Sequence, residues 1–219
     1  MGQNSILTET QKLILAEISQ NKELSDQFYF TGGTALSEVY LKHRYSDDLD
    51  FFTPSRFETQ SIFTFLNLMG KKYQFSIQAQ YVDPVYICNL SFQQGEMLRL
   101  DFGYYPYKQL KTPGRYLDIN VDSLFDLTVN KVLSVTQRTE VKDYVDLYFL
   151  LERFALSELI DGVKIKFNSE IDPLILASHF MLAEDFKFLP RMIKPLTLPT
   201  LHDFFIKQAQ KLGVNSVRP

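Results

Sequence analysis

Apolar residues recur at helical spacing over 8–20 (TETQKLILAEISQ), with Thr8 placed as an N-cap and Leu13, Ile14, Leu15 and Ala16 forming the stripe. A short aromatic run, QFYF, is then halted by Gly32-Gly33, and TALSEVYLKH reads as a helix before RYSDDLDFFTP returns to an extended pattern ended by Pro54. The order is strand, glycine turn, helix, strand. Phe57 to Met69 has helical spacing again, with Gly70 as the expected stop. Three stretches that alternate apolar and polar residues follow, YQFSIQAQYV, VYICNLSFQ and EMLRLDFGYY, separated by Asp83-Pro84 and by Gln93-Gln94-Gly95. They predict an antiparallel meander. Beyond Pro113-Gly114 and the short segment RYLDINV the character changes, and helical patterns dominate at 123–137, 140–153, 173–183 and 200–212.

The pattern therefore predicts an α+β N-lobe over residues 1–118 and a helical C-lobe over 119–219 that completes the active site. Composition agrees with a packed interior, since 45% of the residues are hydrophobic and 14% aromatic. The opening segment lacks the basic start of an export signal, and Met1-Gly2 is not followed by the Ser or Thr of a myristoylation signal, because Ile6 occupies that place. No run is long and apolar enough to span a membrane, and Cys88 has no second cysteine with which to pair. A cytoplasmic setting without a membrane partner is expected. Net charge of −3 argues against a protein that coats duplex DNA by long-range attraction. The charge is uneven, however: from Met181 onward six Lys or Arg (187, 191, 194, 207, 211, 218) face three acids. Such a tail is either a solvated face or a guide for a polyanion.

In DDLDFF, Asp48 and Asp50 stand two apart, and on a strand period two puts both carboxylates on one face and Leu49 and Phe51 on the other. Asp47 then faces solvent. Paired hard oxygen donors suit Mg²⁺ or Mn²⁺, which link carboxylates to substrate phosphates. Gly32-Gly33, between a strand and a helix, lets backbone approach a phosphate at a helix start. Either feature by itself is commonplace; together they point to a nucleoside triphosphate and its metal.

The segment FTGGTALSEVYLKHRYSDDLDFF resembles the signature of the AbiEii/AbiGii-type toxin branch of the polymerase-β-like nucleotidyltransferases, through Gly32, Gly33, Arg44, Ser46, Asp48, Asp50 and Phe51. A second block, NKVLSVTQRTEVKDYVDLYFLL, is similar to the family's Lys-containing helix and the Asp-x-x-Asp helix after it, through Lys131, Arg138, Lys142, Asp143 and Asp146. The resemblance implies a mixed sheet flanked by helices and NMP transfer from an NTP to an acceptor hydroxyl. The acceptor would be an RNA such as tRNA, or a protein, in a toxin–antitoxin or phage-defence system with a cognate antitoxin. It also implies phosphate contacts from Lys131, with Thr34 and Arg138 in the nucleotide site, and Asp143 or Asp146 completing it.

Some roles stay open. Asp101, in LRLDFGYY, is either a third metal ligand or base, or an edge-strand acid facing water. Arg44 either clamps a phosphate or pairs with an acid. Ser46 either binds phosphate or braces the aspartates, and Lys142 with Asp146 at i,i+4 is also read as a surface pair. His43, His179, His202 and Cys88 read as structural, and the aromatics Phe180, Phe186, Phe188, Phe204 and Phe205 as core. The alternative to catalysis is a noncatalytic nucleotide-binding regulatory module with the same fold.

Overall fold

The opening helix begins where its cap predicts. In a computed structural model that describes residues 5–217, with side chains to 213, Thr8 accepts from the Gln11 amide while the Gln11 side chain reaches back to the Thr8 amide. Met1-Gly2 and Arg218 lie outside the described residues. The chain divides into two compact units, one of residues 1–40 and 46–123, the other of residues 41–45 and 124–219.

The first unit runs α1 (Glu9–Gln20), α2 (Lys22–Gln27), β1 (Tyr29–Thr31), α3 (Gly32–Ala35), β2 (Leu49–Thr53), α4 (Thr59–Tyr73), β3 (Phe75–Val82), β4 (Val85–Phe92), β5 (Met97–Tyr104), β6 (Gly114–Tyr116) and β7 (Ile119–Val121). The strands form one mixed sheet in the order β3-β4-β5-β2-β1-β7-β6. β3, β4 and β5 make the expected antiparallel meander, β5 pairs parallel with β2, and β1 pairs antiparallel with β2 and parallel with β7. The segment RYLDINV supplies most of a small hairpin, β6–β7.

Register puts Phe30, Phe51 and Phe102 side by side on one sheet face. With Cys88, Leu90, Leu98 and Leu100 they pack into a single core with Ile14, Leu15 and Ile18 of α1 and Ile62, Phe65 and Leu66 of α4. Phe51 and Phe102 stack at 5.2 Å. The period-two rule then sends Asp50, Arg99 and Asp101 to the opposite face.

Three boundaries differ from expectation. Gly70 is buried inside α4, not at its end; a Cβ there would meet the Phe75 carbonyl at 2.8 Å, so glycine admits a close helix-to-strand approach. Gln74, left-handed at φ 59°, ends the helix instead. The helix after the glycine turn passes from α3 into a π-helical stretch, Leu36–Leu41, and stops at Lys42, φ 50°. β2 begins only at Leu49, so Arg44 to Asp48 are not strand residues.

The second unit holds α5 (Leu124–Gln137), α6 (Val141–Leu150), α7 (Leu156–Phe167), α8 (Pro173–Met181) and α9 (Leu198–Val217). Tyr144, Phe180, Phe186, Phe204 and Phe205 interlock as core rings, with Tyr144 and Phe205 centred 5.1 Å apart. Phe188 departs from its expected core place and is 72% exposed. α7 was not expected, because Gly162 weakens the helical pattern and VKIKF alternates as a strand would. The structure inverts that alternation: Ile165 is 62% exposed, whereas Lys166, on the face of Leu159 and Val163, is buried and meets Asp126 at 2.8 Å.

A buried cation of this kind makes a sharp stability test. Lys166→Met leaves Asp126 buried without that charge and is expected to cost about 3–5 kcal/mol in urea unfolding, while Lys166→Met combined with Asp126→Leu recovers most of the loss.

Candidate active site

His43 to Tyr45 pair through their backbone with residues 191–194, but from Ser46 to Asp48 no strand ladder holds the chain, and two buried side chains of the first unit take over. Gln11 Nε2 donates to the carbonyls of Ser46 and Asp47 at 2.9 and 3.0 Å, and the Thr34 hydroxyl donates to the carbonyl of Asp48. Three successive carbonyls are thus held from α1 and α3, which fixes the loop that presents Asp48. Asp48 and Asp50 still share a half-buried setting, while Asp47 is exposed as expected. Thr34, expected at the nucleotide, spends its hydroxyl on this clamp. Gln11 carried no sequence signal beyond its place in the capping box.

Asp50 leans on the glycine turn. A Cβ built on Gly32 would lie 1.9 Å from Asp50 Oδ2, and Gly32 has φ +75°. Both facts demand glycine. Gly33 follows as the second residue of α3. In the sheet Asp50 is opposite Thr31 on β1 and opposite Asp101 on β5. Asp101 therefore stands on the chemical face, beside Asp50, and its carboxylate is gripped by Arg99 through two bonds of 2.7 and 2.8 Å. Those hydrogen bonds first, and then the fields of Asp101, Asp48 and Asp50, raise the Arg99 guanidinium pKa further. Among the described residues no three His, Cys, Asp or Glu side chains gather as a ready-made metal site. The donor chemistry still fits a hard divalent cation, because the side chains that could reach it here are carboxylates, which offer hard oxygen ligands. A cleft of about 310 Å³ lies elsewhere in this unit, where β1 starts and β2 ends, lined by Tyr29, Thr53 and Asn120 among others.

The second unit gathers the remaining predicted residues around two fully buried acids. Asp146 Oδ1 accepts from His43 Nε2 at 2.7 Å and Arg44 Nε at 2.6 Å; Oδ2 accepts from Arg44 Nη2 at 2.9 Å and is ion-paired with Lys131 Nζ at 2.6 Å. Asp143 accepts from Lys131 at 2.6 Å and from Arg138 at 2.7 Å. Lys131 on α5 and Arg138, just past its end, do converge on one partner. Of the two readings of Arg44, it takes the pairing with an acid. Lys142 is exposed, and the cations on Asp146 come instead from Lys131 and Arg44. His43 belongs to the cluster, its only sequence signal being adjacency to Arg44.

The electrostatics follow from burial opposed by charge. Burial would raise the Asp146 carboxyl, but Lys131 and Arg44 hold it well below the ordinary range; Asp143 is lowered likewise by Lys131 and Arg138. Burial would also discharge Lys131, and the two aspartates reverse that. For His43 burial wins, so its pKa is lowered despite Asp146, and a neutral ring with its proton on Nε2 donates to the ionised acid. Three cations, Arg44, Lys131 and Arg138, thus meet the two aspartates, and Lys131 pairs with both of them.

A family model described as "Nucleotidyl transferase AbiEii toxin, Type IV TA system" matches residues 13–211. The chain belongs to this family. It is a nucleotidyltransferase, which removes the noncatalytic alternative. The uncharacterized protein aq_aa25 of Aquifex aeolicus is 30% identical over 173 residues, 74% of this chain and 76% of the relative. Among solved structures, JHP933 from Helicobacter pylori superposes with a TM-score of 0.59 at 19% identity, over 95% of this chain and 94% of that one. MenT4, a nucleotidyltransferase toxin from Mycobacterium tuberculosis H37Rv, gives 0.58 at 16%, over 92% and 82%. These likenesses show that the chain shares its fold with them.

Two measurements probe the sites apart from turnover. Gly32→Ala is expected to lose more than about 1 kcal/mol in urea unfolding, because the new methyl meets Asp50 and the backbone is left-handed. For pH, both His43 and Asp146 have folded values below their unfolded ones, so the unfolded chain binds more protons as pH falls. Stability is therefore expected to decline below about pH 6.5 through His43 and again below about pH 4 through Asp146. Urea midpoints from pH 8 to 3 read this, and His43→Gln should flatten the upper limb only.

Proposed function

We propose that this nucleotidyltransferase transfers an NMP from an NTP to an acceptor hydroxyl, with Asp48 and Asp50 as ligands of Mg²⁺ or Mn²⁺. The observation that carries this reading is the seating of Asp50 against Gly32, which brings the carboxylate and the glycine turn to the same end of β1 and β2. A glycine turn at the start of a helix offers backbone amides to phosphate oxygens, and acids beside it are where the phosphates' counter-ion belongs. When bound, the divalent cation supplies charge neutralisation at the phosphates and polarisation of the attacked phosphorus.

The remaining roles rest on this chain's own groups. Gly32 and Gly33 receive the phosphates, with Thr34 holding the Asp48 loop behind them. The acceptor oxygen bonds to the α-phosphorus as the bond from that phosphorus to the bridging oxygen breaks, and pyrophosphate leaves. Asp101 takes the hydroxyl proton or serves as a further ligand. Lys131 is the proposed phosphate contact of the helical unit, kept charged by Asp143 and Asp146, with Arg138 beside it. Arg44 acts through Asp146 and Ser46 through its place in the clamped loop.

The acceptor is proposed to be RNA such as tRNA, or a protein, in the cytoplasm, and the partner a cognate antitoxin; the family description supports the toxin role. Among the described residues no helix is long and apolar enough to cross a membrane.

The chemistry is tested by incubating the protein with labelled NTPs, Mg²⁺ and total RNA or candidate proteins. Asp48→Asn and Asp50→Asn are each expected to lower labelling by about 10²–10³-fold, the scale of losing one preorganised electrostatic contact. Labelling by the variants equal to that of the native chain would overturn the assignment.

A further inference from the structure

The chemical face of the sheet carries its own cation. Arg99 and Asp101 are two apart on β5, hence on one face, and Asp101 is level with Asp50 on β2. Both Asp101 oxygens are taken by Arg99, at 2.7 and 2.8 Å, in the forked geometry that a guanidinium makes best. The two partners differ in freedom. The Asp101 side chain is 17% exposed, whereas the Arg99 side chain is 44% exposed and has solvent to move into.

We propose that Arg99 is a built-in counter-ion that keeps Asp101 off the divalent cation of Asp48 and Asp50, so that full coordination requires Arg99 to release Asp101. This inference rests on the metal reading above. Two observations beyond the fork support it. Asp101 is directly opposite Asp50 in the sheet, so releasing it from Arg99 needs only a side-chain movement for it to reach the same ion. Asp48 and Asp50 act on Arg99 through space, so the guanidinium lies within the field a bound cation would share. A guanidinium and a divalent ion repel each other, and one carboxylate cannot serve both in full. Arg99 thus acts as a positioning residue: it stabilises the acidic face before the ion arrives, and its side chain is then available to an anionic substrate.

The proposal is tested by titrating Mn²⁺ alone into the full chain and reading free ion by electron paramagnetic resonance. Arg99→Gln is expected to bind Mn²⁺ about ten-fold more tightly than the native chain, because a like charge has been removed from the site. Adding Asp101→Asn to Arg99→Gln should cancel most of that gain, and Asp50→Asn should abolish binding. Unfolding midpoints verify that each variant is folded. If Asp50→Asn abolishes binding but Arg99→Gln binds no more tightly than the native chain, the metal reading stands and the Arg99 proposal falls. The proposal also falls if the double variant keeps the whole gain. If neither the native chain nor Arg99→Gln binds Mn²⁺, both readings fall together.

Discussion

A carboxylate without water must be given its counter-charges by the fold, and Asp146 imposes that demand on the second unit. Its two oxygens take three hydrogen bonds and an ion pair from three residues: His43 and Arg44 after the glycine-turn helix, and Lys131 on α5. Burying such a cluster is costly unless every oxygen is matched, and here each one is. The requirement explains why Leu41–Tyr45 leaves its sequence neighbours and joins the helices. It also explains why Lys131 stays charged in an environment that would by itself favour the neutral amine.

The first unit solves a different problem, that of holding Asp48 just before a strand begins, where no ladder supports it, beside an Asp50 that is in the sheet. Gln11 and Thr34 satisfy the carbonyls of Ser46, Asp47 and Asp48, and the absence of a Cβ at Gly32 makes room for Asp50. Aromatic stacking of Phe51 on Phe102 anchors the strands from behind. One face of each strand is thus spent on the core and the other on chemistry, a division of labour that period two makes automatic. Such a platform depends on a few residues, which is consistent with a shared fold at 16–19% identity to the solved structures.

Much of this was legible in the chain. The meander, the cap of α1, and the inward direction of Leu49 and Phe51 follow from local periodicity, which backbone geometry enforces wherever one face is buried. The glycine turn and the two aspartates were likewise readable, because their spacing carries the chemistry. What failed were readings that needed a partner distant in sequence. α7 was hidden because VKIKF alternates, and only Asp126, forty residues away, makes an inward lysine sensible.

The sequence by itself determined the α+β and helical halves, the family, and the acids proposed to hold the metal, since these rest on patterns within a few residues of one another. Only the tertiary structure decided how those acids are held. That β2 starts after Asp48, that Gln11 and Thr34 replace its missing ladder, and that His43 and Arg44 turn to Asp146 are settled by satisfying buried polar groups. Those demands arise when the chain is packed, and most of their partners lie tens of residues away.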